Sequence, residues 1–179
     1  MESLNRHDRG WEVKYARPGL LYSTVWLPEA GMVGKPKPVR FFDTSVGEVS
    51  GGFQVRTCHS NWQYSKAYMP MHEAFWAHDA SFTVATTKTP PPEAALVQAM
   101  LGLSWAVTAG NGITYLQGPV MPRLQRGGRI RGSFDLLFQP LVQVNVTAQV
   151  DEPPLLLLEP GEALVLTLYL QGYWFQKSM

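Results

Sequence analysis

Between Val142 and Val150, the residues Val142, Val144, Val146, Ala148 and Val150 fall on one side of an extended chain, and Gln143, Asn145, Thr147 and Gln149 fall on the other. That period of two marks a strand with one face buried. The alternation resumes after Asp151-Glu152-Pro153-Pro154 and Pro160-Gly161-Glu162, where Leu164, Leu166, Leu168 and Leu170 share a face opposite Val165, Thr167, Tyr169 and Gln171. A helix would scatter those leucines around its circumference, so both segments read as β. The break between them runs to about a dozen residues, too long for a two-residue hairpin turn. Such a connection suits strands that cross between sheets, as in Greek-key topologies.

The rest of the chain extends the pattern. Its 179 residues suit one domain. Residues 1–10 are polar and without periodicity and read as an N-terminal arm, with the β domain over 11–179. Strands are predicted over Trp11 to Tyr15, Leu20 to Leu27, Val39 to Phe42, Phe53 to Cys58, Ser81 to Thr87 (led into by Phe75-Trp76), Ser104 to Thr108, Ile113 to Leu116 and Phe134 to Phe138. The glycines of Gly47 to Gly52 suggest a hairpin joining Val39–Phe42 to Phe53–Cys58, and Ala109-Gly110-Asn111-Gly112 suggests another. Trp62 to Met71 fits an edge strand or a packed loop. A single short helix is predicted from Pro92 to about Leu103, with proline and Glu93 in its first turn. Roughly eight to ten strands with one connecting helix make an all-β sandwich or barrel.

Composition narrows the function. Charged residues are 16% of the chain, against about a quarter in ordinary soluble proteins. Much of the surface is then neutral, and neutral surface is often contacted surface. A net charge of +1 supplies no field to hold a polyanion, so nucleic acid is not expected as a direct partner. The one cysteine, Cys58, excludes an internal disulfide framework; it is read as a buried apolar thiol, or alternatively as a bridge across a symmetric dimer. Residues 1–10 lack the pattern of a secretory signal, and apolar runs such as Leu155 to Leu158 fall far short of a membrane span. The protein is expected to be made soluble.

Few residues suggest chemistry. His59, His72 and His78 could meet Glu73 and Asp79 around a metal, but no H-E-x-x-H, His-x-His or cysteine pair supports it, and structural histidines are the favoured reading. The nucleophile-elbow, P-loop and dinucleotide motifs are missing, and no catalytic or cofactor residue is expected. Asn145-Val146-Thr147 fits a glycosylation sequon but lies within a predicted strand. Arg123, Arg126, Arg129 and Arg131 surround Gly127-Gly128 and could grip phosphates, lipid headgroups or a neighbour's acids; a solvated loop is the equal alternative. The uncharged row Gln143, Asn145, Thr147 and Gln149 reads as a contact face, because a freely solvated strand usually carries Lys or Glu against edge pairing.

The pattern as a whole, ending in Pro160-Gly161-Glu162-Ala163-Leu164-Val165-Leu166-Thr167-Leu168-Tyr169-Leu170-Gln171-Gly172-Tyr173, resembles phage virion proteins built on a single jelly roll. Val39-Arg40-Phe41-Phe42-Asp43, the Ser60-Asn61 pair and the stretch from Met69-Pro70 to Phe75 add to the likeness. In size and in its Leu-, Pro- and Gly-rich composition the chain is similar to the smaller of two major capsid proteins of icosahedral, internal-membrane phages of thermophilic bacteria. The resemblance implies a single jelly-roll β-barrel that dimerises, packs beside a second, larger capsid protein and lies over an internal viral membrane. It implies a protein of the virion shell with no catalytic residues. The alternative is a jelly-roll carbohydrate-binding module or a cupin-like metal-binding enzyme, whose barrel mouth would gather His59, His72, His78 and Glu73. A spike or receptor-binding role would share the same fold.

Overall fold

The computed structural model describes residues 16–28, 38–50, 52–62, 68–87, 102–109, 114–119, 136–150 and 161–176. Its strands are β1 (Arg17–Pro28), β2 (Val39–Phe41), β3 (Val49–Ser50), β4 (Phe53–Gln54), β5 (Glu73–Thr86), β6 (Leu103–Ala109), β7 (Thr114–Pro119), β8 (Leu136–Phe138), β9 (Val144–Val150) and β10 (Ala163–Gln176). All strand pairings are antiparallel, and the described residues contain no helix. Eight strands form two four-stranded sheets, ordered β1-β10-β5-β8 and β2-β9-β6-β7, and β3 and β4 make a separate small hairpin.

The alternation that marks these segments as strands also builds the core. Leu164, Leu166, Leu168 and Leu170 of β10 are fully buried, beside Leu21, Val25 and Leu27 of β1 and Phe75, Ala77 and Phe82 of β5. Phe41, Leu103, Trp105, Val107, Val146 and Ala148 of the second sheet join the same cluster. Phe82 bridges the layers, with its ring centroid 5.0 Å from that of Trp105 and 6.2 Å from that of Phe41.

Strand order follows a nested rule once the small hairpin is set aside. β6 pairs β7, β5 pairs β8, β2 pairs β9 and β1 pairs β10, as in one long two-stranded ribbon. Rolling that ribbon brings β10 against β5 and β9 against β6, which completes the sheets. The strands on either side of the long break, β9 and β10, lie in different sheets, as expected.

Other expectations are corrected. Val39–Phe41 does not form a hairpin with Phe53–Cys58; it pairs with β9, which lets Phe41 enter the core opposite Val146. The glycine-rich turn serves instead the tight pair of Val49 with Gln54 and Ser50 with Phe53, with Gly52 at φ 85°. The strand expected from Ser81 begins earlier, at Glu73. Leu103, the expected helix end, opens β6 and is buried in the core. Residues 92–101 of that helix, the arm and the strand at 11–15 lie outside the described residues. Trp62 and Met69 are buried, and Tyr68 makes only an isolated bridge to Gln143, so the described part of that segment is packed loop.

The loop after β4 closes the free edge of β1. Ser60 makes an antiparallel bridge to Ser23, and Trp62 packs 5.4 Å from Phe42 inside the core. The Tyr22 amide donates to Asn61 Oδ1 at 2.9 Å, and Asn61 Nδ2 donates to the Leu20 carbonyl at 2.5 Å. Asn61 thereby imitates a neighbouring strand and satisfies an edge that could otherwise pair with another chain. Asn61→Ala removes both bonds and leaves Tyr22 N–H short of a partner. The expected loss is about 1–3 kcal/mol, read as a lower urea midpoint with an unchanged slope.

Candidate assembly surface

The outer wall of the first sheet has two halves. Over the first, the β3–β4 hairpin and the segment behind it lie on the sheet, where Trp26, Val55 and Ala163 form a second small core backed by Phe53 and Val165. Trp26 stacks on Phe53 at 5.6 Å and meets the edge of His59 at 5.1 Å. Thr24 and Thr167, buried in adjacent strands, satisfy each other through their hydroxyls at 2.9 Å. This cover ends near Tyr22, whose hydroxyl donates to the Thr57 carbonyl.

Beyond Tyr22 the wall is open. Register puts Tyr22 beside Tyr169 and Ser81, then Leu20 beside Gln171 and Asp79, then Pro18 beside Tyr173, Trp76 and Leu137. Leu20 is 39% and Tyr173 37% exposed, large fractions for apolar and aromatic side chains inside a sheet. Trp76 stacks 5.9 Å from Tyr173, and His78 leans on the same pair at 5.6 Å and 6.1 Å. One row further, Phe175 and Ala74 are buried again, which bounds the patch.

A β-bulge lies within this patch. Gln171 pairs with Asp79 and Gly172 with Ala77, so His78 is the extra residue and follows Asp79 onto the outer face. Close backbone approach makes the irregularity possible: a Cβ on Gly172 would stand 2.0 Å from the Trp76 carbonyl oxygen. Asp79 and His78 are the ionisable groups of these open rows apart from the tyrosines; no Lys, Arg or Glu shares them. Aromatic residues with few charges are the composition found at the centre of protein interfaces.

The residues singled out in the sequence are distributed differently. Gln143, Asn145 and Thr147 are half-buried, and Gln149 is exposed. Thr147 Oγ1 donates to the Ala106 carbonyl at 3.5 Å, Gln143 bridges to Tyr68, and Asn145 Oδ1 is enclosed without a donor among the described residues. Cys58 is an exposed free thiol, contrary to the buried reading. Arg123, Arg126, Arg129 and Arg131 lie outside the described residues.

The histidines do not converge. His59 lies against Trp26 and accepts the Arg56 amide at Nδ1 (3.2 Å), His72 is exposed, and His78 belongs to the aromatic patch. Among the described residues no three His, Cys, Asp or Glu side chains are grouped to hold a metal ion. Sequence reasoning missed Leu20, Trp76, His78 and Tyr173 as a surface, because only register brings them together. Compared with protein-family models, curated proteins and solved structures, the chain matches none.

Proposed function

We propose that this chain is a structural subunit of a virus shell, built as a single jelly roll and assembled through its outer walls. The observation that carries the reading is the strand order. Eight strands nested as one rolled ribbon, in sheets β1-β10-β5-β8 and β2-β9-β6-β7, support the double Greek key of a jelly roll.

Shell subunits share that roll with lectins and cupins, so function is argued from the surface. A cupin-like enzyme needs metal ligands gathered at the barrel mouth, whereas His59 and His78 are held by different aromatic groups. A shell subunit needs a closed core and neutral outer surface, and the open aromatic wall supports that role. In this reading the chain associates with itself and with a second, larger capsid protein over an internal membrane, and its site of action is the virion.

Sedimentation over a range of concentrations, with elemental analysis of the same sample, tests the proposal. Concentration-dependent oligomers without stoichiometric metal are expected. A strict monomer carrying one metal per chain overturns the shell reading in favour of the cupin-like enzyme.

A further inference from the structure

We infer that the open half of the first sheet's outer wall, centred on Trp76, His78, Asp79, Tyr173 and Leu20, is a two-fold interface with a second copy of this chain. The inference rests on the shell reading and adds to it a face and a geometry. A two-fold contact sets one patch against itself, so each residue meets residues of the same patch. A patch dominated by one sign of charge would therefore repel its copy, and this one carries no Lys, Arg or Glu in its open rows.

The bulge supplies complementarity. In a regular strand, consecutive residues point to opposite faces, so an adjacent acid and imidazole could not both look outward. The extra residue in β5 puts His78 and Asp79 side by side on one face. A two-fold axis running between them sets each His78 against the partner's carboxylate, twice per interface. Around those pairs Trp76, Tyr173 and Leu20 supply apolar area with few rotatable bonds, as at the centres of stable interfaces. A bulge that turns one more side chain outward within the longest pairing among the described residues is what such a contact needs.

The test uses the full chain in sedimentation equilibrium, with thermal melting of every variant to verify folding. Tyr173→Glu and Leu20→Glu set like charges face to face and are expected to weaken self-association at least tenfold. Val49→Glu, on a side chain exposed in the small hairpin, is expected to leave it unchanged. His78→Asp and Asp79→His alone are each expected to weaken association, and the double exchange to restore it, because reciprocal pairing survives the swap.

Association that persists in Tyr173→Glu and Leu20→Glu overturns this interface while leaving the shell reading intact. A wild-type chain that stays monomeric to high concentration overturns it too, and one stoichiometric metal in that monomer removes the shell reading as well. A monomer that binds an oligosaccharide, with binding lost in Tyr173→Glu, gives the wall to a sugar instead.

Discussion

Phe82→Ala should cost about 3–5 kcal/mol, the usual range for deleting a fully buried aromatic ring. Phe82 has no exposed surface and stands between the sheets, edge-on to Trp105 of the second sheet and tilted against Phe41. Those three rings come from β5, β6 and β2, so the cavity opens where the two layers hold each other, and neither sheet can collapse into it alone. Domains of this kind are stable by only about 5–15 kcal/mol, so a large share of the margin goes. Urea unfolding followed by tryptophan fluorescence checks it. The neighbouring Thr83→Ala, an exposed outward position, should stay within about 0.5 kcal/mol of wild type. Equal midpoints for Phe82→Ala and Thr83→Ala would contradict a core shared by both sheets.

Gly172→Ala adds one carbon and is expected to destabilise by roughly 3 kcal/mol, the upper end for overpacking. The new Cβ would sit 2.0 Å from the Trp76 carbonyl oxygen, 2.8 Å from that carbonyl carbon and 2.9 Å from Phe75 Cζ. Backbone in the middle of a ladder cannot swing aside, so β10 and β5 must part locally at the bulge. Hydrogen exchange should report faster amides around Gly172 and Trp76, with little change near Leu164 and Thr86 at the other end of the same pairing. Gly19→Ala is the comparison. Its Cβ would meet the Trp174 indole rather than backbone, so a ring packed on Phe75, and not the ladder itself, must shift, and a smaller loss is expected although the two glycines are paired directly.

The contrast between these positions also explains how much could be read in the sequence. Strands whose alternation is unbroken were legible, as with the leucines of β10 and with Val146 and Ala148 of β9. The first half of β5 was not, because the extra residue at His78 resets the period and separates Phe75 and Ala77 from Phe82 in any count of alternating positions. Glycines after β2 announced a reversal of the chain without saying which strands it joins, so a local hairpin was expected where Phe41 turned to β9 for its partner. The open wall depends on Trp76 lying next to Tyr173 and on Leu20 lying next to Gln171, contacts that link distant parts of the chain. Local pattern carries no information about such pairs. The reverse holds for Gln143, Asn145 and Thr147: their uncharged row was visible, but not that each would be half-covered.

The nested order has a consequence for biosynthesis. β10 is one of the two inner strands of its sheet, holding β1 on one side and β5 on the other, yet it is the last of the described strands to leave the ribosome. Until it emerges, β1 and β5 have no common partner, and the backbone edges that face β10 stay unpaired. Native structure in that sheet therefore waits until Ala163–Gln176 has been made, and the unpaired edges exposed meanwhile are a demand on chaperones. Nascent chains stalled before Ala163 should accordingly be degraded or aggregate, and chains extended past Gln176 should acquire protease resistance in one step.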